Sequence, residues 1–233
     1  MILHWLELPE ETTIYEQLLL EEKILREDSR NFCLINKGTS PAIVMGISGK
    51  LNELVDIDRA KAENLLVIKR FSGGGTVVVD NHTLFVTFIF QKELFPFPAY
   101  PEKIMKWSET IYQPVFPENF VLKENDYAFK QSKFGGNAQY IRKERWLHHT
   151  SFLWDYEESK MNCLLHPRKT PVYRLGRSHK DFLCKLKDIL PSQEIFLSKL
   201  KQSLARYFEI QLVYKERLIV KEPSRFSTEI IPL

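Results

Sequence analysis

Glycine is scarce and unevenly placed in this chain. Nine glycines occur among 233 residues, and five of them lie in two short stretches, at 73–75 and 135–136. The first stretch belongs to KRFSGGGTVVVD (69–80) and the second to KFGGNAQ (133–139), each beside a strand-like run. Glycine tolerates positive φ angles and lets another group approach the main chain closely. This concentration predicts backbone that lies against a ligand, with simple turns as the alternative interpretation.

Basic side chains flank both stretches. Lys69 and Arg70 precede the first, and Lys133 begins the second. Consecutive amides that carry no side chains can form an anion-binding concavity, and a neighbouring cation strengthens the binding of phosphate or carboxylate. Neither stretch matches GxxxxGK[ST] or GxGxxG, so the usual phosphate-loop and dinucleotide signatures do not apply.

Helical and strand-like segments follow one another in runs. Thr13 to Glu16 form a capping box ahead of an apolar run. Helices are predicted at 14–28, 54–64, 101–116 (with a break near Pro114) and 192–208. Strands are predicted at 31–37, 40–48, 64–71, 76–80 and 83–90, as a meander over 126–156, and at 210–220. This order predicts one α+β domain over residues 1–233, with a mixed, largely antiparallel sheet covered by helices.

Charge and composition exclude several other classes. The net charge of +3 is small for this length and disfavours a nucleic-acid-binding protein. No apolar run is long enough to span a membrane, and the first residues show no secretory signal. Cys33, Cys163 and Cys184 are far apart and have no metal-binding spacing, which favours a cytoplasmic location.

Three motifs together resemble the lipoate–protein ligase family. KRFSGGGTVVVD, KFGGNAQ and HHTSFLWDY (148–156) follow the order of its arginine-to-triple-glycine, Lys-x-x-Gly-x-Ala and His-Gly-Thr-Leu-like motifs. SPAIVMGIS (40–48) is similar to the Pro-x-Val-x-Gly strand found upstream of these motifs. The resemblance covers roughly residues 15–210 and implies a catalytic domain like those of biotin/lipoate ligases and class II synthetases. The GRGR signature of biotin ligases is absent, which disfavours biotin as the substrate.

The resemblance implies a two-step reaction. A lipoate or octanoate carboxylate attacks the α-phosphate of ATP, giving acyl-AMP and pyrophosphate. The ε-amine of a lysine on a carrier domain then attacks the acyl carbon. The implied ligands are ATP, Mg²⁺ and lipoate. The implied partners are the lipoyl domains of 2-oxoacid dehydrogenase E2 subunits and the glycine cleavage H protein.

The resemblance also implies roles for particular residues. Lys133 is the implied catalytic residue, because its compact ammonium would bridge the acyl carboxylate and the α-phosphate. Asp126, in an Asn-Asp pair, is the implied Mg²⁺ ligand, with a simple turn as the alternative. The residues implied in substrate or nucleotide binding are Arg70, Ser72, Gly73, Gly74, Gly75, Thr76, Val77, Gly135, Gly136, Asn137, Ala138, Gln139 and His149. Neighbouring residues on a strand face opposite sides, so His148 and His149 are not expected to share a zinc ion.

The sequence departs from the family pattern in three places. Val79 stands where members often have histidine, and Thr150 stands where the third motif usually has glycine. The C-terminal accessory domain of many lipoate ligases is expected to be absent. A separate partner protein would then supply it, or the chain would act unaided, or it would only transfer a preformed acyl-AMP.

Two rival functions remain open from the sequence. One is a cysteine-dependent octanoyltransferase with Cys163 as its nucleophile, although a small buried cysteine is the plainer interpretation of that residue. The other is a non-catalytic member of the family that binds carrier domains or lipoyl ligands.

Overall fold

Two mixed β-sheets and a set of helices make up the computed structural model, which describes residues 1–165 and 170–233. The strands are β1 (Ile2–Glu7), β2 (Phe32–Asn36), β3 (Ala42–Met45), β4 (Leu66–Lys69), β5 (Val77–Val79), β6 (Thr83–Gln91), β7 (Phe120–Lys123), β8 (Asp126–Phe129), β9 (Ser132–Ile141), β10 (Arg145–Leu153), β11 (Glu209–Val213) and β12 (Glu229–Ile231). The α-helices are α1 (Ile14–Glu27), α2 (Leu51–Leu54), α3 (Ile57–Ala62), α4 (Pro101–Tyr112), α5 (Glu158–Met161), α6 (His179–Phe182) and α7 (Gln193–Leu204).

The larger sheet has eight strands in the order β11-β1-β2-β6-β10-β9-β8-β7. Strand β1 pairs in parallel with β11 and with β2, and the remaining neighbours are antiparallel. The smaller sheet has the order β12-β4-β3-β5, in which only β3 and β4 run in parallel. The fold is therefore α+β with largely antiparallel pairing, as predicted, but its strands form two sheets instead of one.

Strand β6 shows how the layers form. Its side chains alternate between two faces, because successive residues of a strand point to opposite sides. Phe88 and Phe90 pack into an aromatic cluster that α4 and α7 cover. Phe85 and Ile89 face the other way, where they meet α1 and the small sheet. The large sheet is thus covered by two helices on one face, and by α1 and the small sheet on the other.

Most predicted elements are confirmed, and the differences concern short strands and the 51–62 region. Helix α1 begins with the predicted capping box, in which Thr13 accepts from the Glu16 amide and Glu16 bonds back. Strands β1, β7 and β12 were not predicted. The predicted strand over 210–220 ends at Val213, because its partner β1 ends and residues 215–217 form a 3₁₀ turn. The predicted helix over 54–64 is replaced by α2 and α3, which flank an isolated bridge at Val55.

No helix in residues 1–165 or 170–233 is both long enough and apolar enough to cross a bilayer.

The two glycine stretches lie at neighbouring places in the fold. Residues 73–75 belong to the loop between β4 and β5 of the small sheet, and residues 135–136 lie within β9 of the large sheet.

Candidate active site

A cleft of about 1070 Å³ opens where the glycine loop approaches β9 and β10. The residues from the predicted site that line it are Arg70, Gly73, Gly74, Gly75, Thr76, Val77, Asp126, Lys133, Gly136, Asn137, Ala138, Gln139 and His149. Ser72 and Gly135 lie behind the cleft wall and do not line it. The structure thus brings both glycine stretches and the predicted catalytic lysine to one cavity.

Arg70 holds the glycine loop from beneath. Its Nη2 donates to the carbonyls of Gly73 (2.6 Å) and Gly75 (2.9 Å), and its Nε donates to Ser72 Oγ (2.9 Å). Burial lowers the pKa of Arg70 to about 10, while the Glu21 carboxylate opposes that shift. Because its donors bond to the protein, Arg70 fixes the shape of the loop. Its predicted role in binding phosphate or substrate stays a prediction.

A chain of buried polar groups links helix α1 to this loop. Glu21 has no exposed surface, and its Oε2 bonds to His149 Nδ1 at 2.9 Å. His149 Nε2 lies 3.0 Å from Ser72 Oγ, which also accepts from Arg70. The geometry fits a ring that donates from Nδ1 and accepts the Ser72 hydroxyl at Nε2. His149 therefore positions the loop in this structure.

Close backbone contacts explain why the loop needs glycine at particular positions. Gly74 has a φ of +95°, and a Cβ there would lie 2.9 Å from Arg70 Nη2 and 3.3 Å from the Cβ of Ala138. A Cβ on Gly46, at the end of β3, would lie 2.3 Å from the carbonyl oxygen of Gly74. A Cβ on Gly73 or Gly75 would meet nothing within 4 Å. Residues 46 and 74 therefore set the backbone path, and 73 and 75 leave open space beside the cleft.

Lys133 stands in the cleft with a carboxylate partner. Its Nζ lies 2.7 Å from Asp126 Oδ1, and Tyr173 donates from its hydroxyl to Asp126 Oδ2 at 3.0 Å. Burial first, and then the Asp126 carboxylate, raise the pKa of Tyr173. A Cβ on Gly136 would lie 3.5 Å from the Lys133 ammonium, so glycine leaves that ammonium room over the strand. Asp126 thus fixes the position of the Lys133 ammonium, which stays partly exposed in the cleft that the glycine loop also lines.

Gly135 has a packing role. A Cβ at this position would lie 3.1 Å from the Tyr127 ring and 3.2 Å from the Phe152 ring. Its predicted place on the ligand face of the cleft is therefore not what the structure shows. Successive residues of a strand point to opposite sides, so residue 135 turns towards the aromatic cluster and residue 136 towards the cleft. The register of β8 and β9 shifts by one residue opposite Tyr127 and Ala128, and this irregularity puts Lys133 on the side of residue 136.

The two polar residues between these glycines and the end of β9 have protein partners. Asn137 Nδ2 donates to the carbonyl of Asn125 (3.0 Å), and Asn137 Oδ1 accepts from the Thr150 hydroxyl (2.6 Å). The threonine that departs from the family pattern thus ties β10 to β9. Gln139 Nε2 bonds to His148 Nδ1 at 2.9 Å. Burial, with His149 as a second cause, lowers the pKa of His148 to about 3.

Part of the cleft lining is apolar. Side chains from α1, β3, β5 and β6 that pack in one cluster contribute to it, namely Ile14, Leu18, Val44, Val77, Val79 and Phe85. Two of these strands, β5 and β6, follow the glycine loop directly in the chain. Val79, which stands where family members often have histidine, is 1% exposed and belongs to this apolar part of the lining.

The described residues form no metal site of their own. No group of three or more His, Cys, Asp or Glu side chains gathers within residues 1–165 and 170–233 in a way that would hold an ion. Both oxygens of Asp126 already accept from Lys133 and Tyr173. A single carboxylate fits Mg²⁺ only if a phosphate ligand supplies other oxygens. The predicted role of Asp126 in holding Mg²⁺ stays a prediction.

Cys163 lies away from the cleft wall. It is 1% exposed and packs in an apolar cluster with Ile43, Met45 and Val55. Burial raises the pKa of its thiol, and the Glu63 and Asp56 carboxylates add to that shift. These surroundings disfavour a thiolate nucleophile.

Several site residues were not predicted from the sequence. Glu21 gave a weak signal, since two acidic residues at 21–22 interrupt the apolar stripe of α1. Gly46 was noted as part of a motif, without its contact with residue 74. Tyr173 and Arg174 gave no signal, because the turn that brings them to the cleft is a tertiary feature.

Comparison with known proteins identifies similar chains. The sequence profile of the lipoyl protein ligase A/B catalytic domain matches residues 13–209. A relative from Plasmodium falciparum (isolate 3D7), named inactive lipoate–protein ligase 2, is 30% identical over 256 residues, covering 80% of this chain and 65% of the relative. The chain spans 39–65% of the length of the first curated relatives that it matches.

Two solved structures share the fold. The bi-partite lipoate protein ligase of Thermoplasma acidophilum, studied with its E2 lipoyl domain, has a TM-score of 0.71 at 17% identity, covering 92% of this chain and 87% of that chain. A lipoate-protein ligase A bound with ATP has a TM-score of 0.72 at 16% identity, covering 92% and 89%.

Proposed function

Because the chain belongs to the lipoyl protein ligase A/B catalytic-domain family, we propose that it is a lipoate–protein ligase. It activates lipoate or octanoate with ATP and transfers the acyl group from acyl-AMP to a lysine of a lipoyl carrier domain. The observation that carries this proposal is the position of Lys133. Its ammonium stands in the cleft that the glycine loop also lines, and part of the lining of this cleft is apolar.

The arrangement suits the first chemical step. The apolar part of the lining, from α1, β3, β5 and β6, would take the acyl tail. The carboxylate would then lie near Lys133, whose charge offsets the repulsion between two anions as an acyl oxygen attacks the α-phosphorus. Mg²⁺, when bound with ATP, would supply further positive charge at the phosphates. Asp126 would hold it in exchange for one of its present bonds from Lys133 and Tyr173.

The second step, acyl transfer from acyl-AMP to the carrier lysine, needs fewer positive charges from the protein than adenylation does. The carrier lysine attacks the acyl carbon, an oxyanion develops there, and AMP leaves. Lys133 is suited to stabilise that oxyanion as well, because positioned cations act wherever negative charge develops. The proposed partners are lipoyl domains of E2 subunits and the glycine cleavage H protein, and the bi-partite ligase of similar fold supports a separate accessory protein as a further partner.

The cysteine-dependent alternative receives no support from the site. Cys163 is buried among apolar side chains, and the pKa of its thiol is raised. A Cys163→Ser variant should therefore keep acyl transfer. Loss of transfer together with the wild-type fold would favour a thioester mechanism.

A non-catalytic role is the second candidate. The relative named inactive and the apolar Val79 favour it. The retained Lys133–Asp126 pair and the intact glycine loop favour catalysis.

The deciding experiment incubates the purified chain with lipoate, Mg²⁺-ATP and an apo carrier domain, and weighs the carrier by mass spectrometry. A parallel reaction starts from chemically made lipoyl-AMP. Modification in both reactions is expected. Modification only from lipoyl-AMP would indicate a transferase, and modification in neither, with no pyrophosphate released, would overturn the proposal.

A further inference from the structure

Arg174 belongs to the short segment 170–174, of which residues 170, 171 and 174 line the cleft. The residue ends the 3₁₀ turn Val172–Arg174 and lines the cavity that Lys133 lines. Only 5% of its surface is exposed. Its neighbour Tyr173 bonds to Asp126 Oδ2, while Lys133 bonds to Asp126 Oδ1. The main chain at residues 173–174 therefore passes Asp126, the carboxylate partner of Lys133.

The guanidinium of Arg174 is not saturated by the protein. Its Nε donates to the Arg177 carbonyl at 2.9 Å, and its Cζ lies 5.2 Å from the centre of the Phe182 ring. Its Nη2 is buried and has no hydrogen-bond partner among the described residues. The other two cations of the cleft differ, because Arg70 bonds to loop carbonyls and Lys133 to a carboxylate.

A buried guanidinium without an acid partner is unfavourable in the ligand-free protein. Burial first, and then the charge of Arg177, lower the pKa of Arg174. Buried charges are ordinarily paired, so an anion beside Nη2 would relieve this cost. A second buried polar atom in the same cleft, Thr76 Oγ1, also lacks a hydrogen-bond partner among the described residues. Both atoms fit a ligand rich in oxygen.

We propose that Arg174 binds a phosphate oxygen at the pyrophosphate end of ATP. The inference rests on the proposed function and adds a residue to the site. The proposed function assigns Lys133 to the α-phosphate and the acyl carboxylate. We therefore assign the remaining phosphates to Arg174, the cation of the cleft whose Nη2 has no partner among the described residues. The planar fork of arginine suits phosphate oxygens better than the point charge of lysine does.

The contact would act in the adenylation step. A bond forms between a carboxylate oxygen of the acid and the α-phosphorus, while the bond from the α-phosphorus to the α,β-bridging oxygen breaks. The electron pair of that bond leaves with pyrophosphate, whose added negative charge lies beside Arg174. Acyl transfer from acyl-AMP involves no pyrophosphate, so that step does not use the contact.

The test measures binding of Mg²⁺-ATP, AMP and Mg²⁺-pyrophosphate to the full chain by calorimetry. Arg174→Gln should weaken ATP and pyrophosphate by about tenfold or more, since a charge-assisted hydrogen bond is lost. AMP affinity should stay at the wild-type value, and Arg174→Lys should fall between the two proteins. Lys180→Gln is the matched control, because it removes the same charge from an exposed side chain of the neighbouring helix.

Four results would overturn the inference. They are an equal loss for AMP and ATP, an unchanged affinity for pyrophosphate in Arg174→Gln, a loss of equal size in Lys180→Gln, and a wild-type chain that binds neither ATP nor pyrophosphate. Thermal unfolding shows whether each variant is folded, and Arg174→Lys supplies the comparison if Arg174→Gln is not.

The two proposals fail in different ways. A wild-type chain that forms no acyl-AMP, yet loses pyrophosphate binding in Arg174→Gln, would keep the phosphate contact and reject the ligase. A wild-type chain that forms acyl-AMP with the same ATP KM as Arg174→Gln would keep the ligase and reject the contact. Transfer from premade lipoyl-AMP should be equal in both proteins.

Discussion

Residues 73–75 lie in a loop between two short strands, whereas residues 135–136 lie inside the longest strand of the large sheet. The loop glycines include one with positive φ, and the space beside the other two is empty. In the strand, the absence of a side chain at residue 135 lets two aromatic rings pack closely, and its absence at residue 136 leaves room for the Lys133 ammonium. Both stretches are glycine-rich and follow basic residues, yet they serve different purposes, because the first shapes the cleft wall and the second leaves space for a cation.

The largest effect is expected from the cation that the second stretch seats. Lys133→Met should lower kcat/KM for lipoate-dependent pyrophosphate release by about 10²–10³-fold, the loss seen when one transition-state donor is removed. The free energy of unfolding should change far less, because Asp126 keeps its bond from Tyr173.

Lys143→Gln is the control, since its side chain is 94% exposed in the turn between β9 and β10. A Lys133→Met enzyme as active as this control would show that the strand glycines do not serve a catalytic cation.

Gly74→Ala should distort the backbone of the glycine loop at residues 73–75. Alanine at a φ of +95° is strained, and its Cβ would lie 2.9 Å from Arg70 Nη2. We expect a loss of about 1–3 kcal/mol in the free energy of unfolding, measured in urea, and a large fall in kcat/KM as the loop moves.

Gly46→Ala tests the same loop from its other side, because its Cβ would meet the Gly74 carbonyl. If the loop shape matters, both variants should raise the KM for ATP or lipoate. Wild-type KM values in both variants would show that the shape of the loop does not affect ligand binding.

Gly135→Ala should separate stability from ligand binding. The added methyl would lie 3.1–3.2 Å from Tyr127 and Phe152, and overpacking of this kind costs about 1–3 kcal/mol. The KM for ATP should stay at the wild-type value, since residue 135 lies behind the cleft wall. A raised KM without a change in urea midpoint would contradict the packing role.

The sequence predicts the site better at its backbone than at its side-chain partners. The glycine stretches, Lys133 and the α+β class follow from local patterns, because motif order and periodicity are properties of short segments. The two-sheet division, the partners of Arg70 and the place of Gly135 depend on how distant strands align. Arg174 shows the limit, because an arginine in a loop gives no sign of burial until the turn carrying it is packed.

The smallest change in stability is expected from Gly75→Ala, which tests the open side of the loop. Its Cβ would meet nothing within 4 Å, so the free energy of unfolding should stay within about 0.5 kcal/mol of the wild type. If the empty space is where a ligand approaches the main chain, the KM for ATP or lipoate should rise about tenfold, as when one hydrogen bond is displaced. Kinetic assays at several concentrations of each substrate distinguish the two ligands. A variant with unchanged stability and unchanged KM for both would show that residue 75 is a turn glycine, and the contrast between the two stretches would then rest on Gly74 alone.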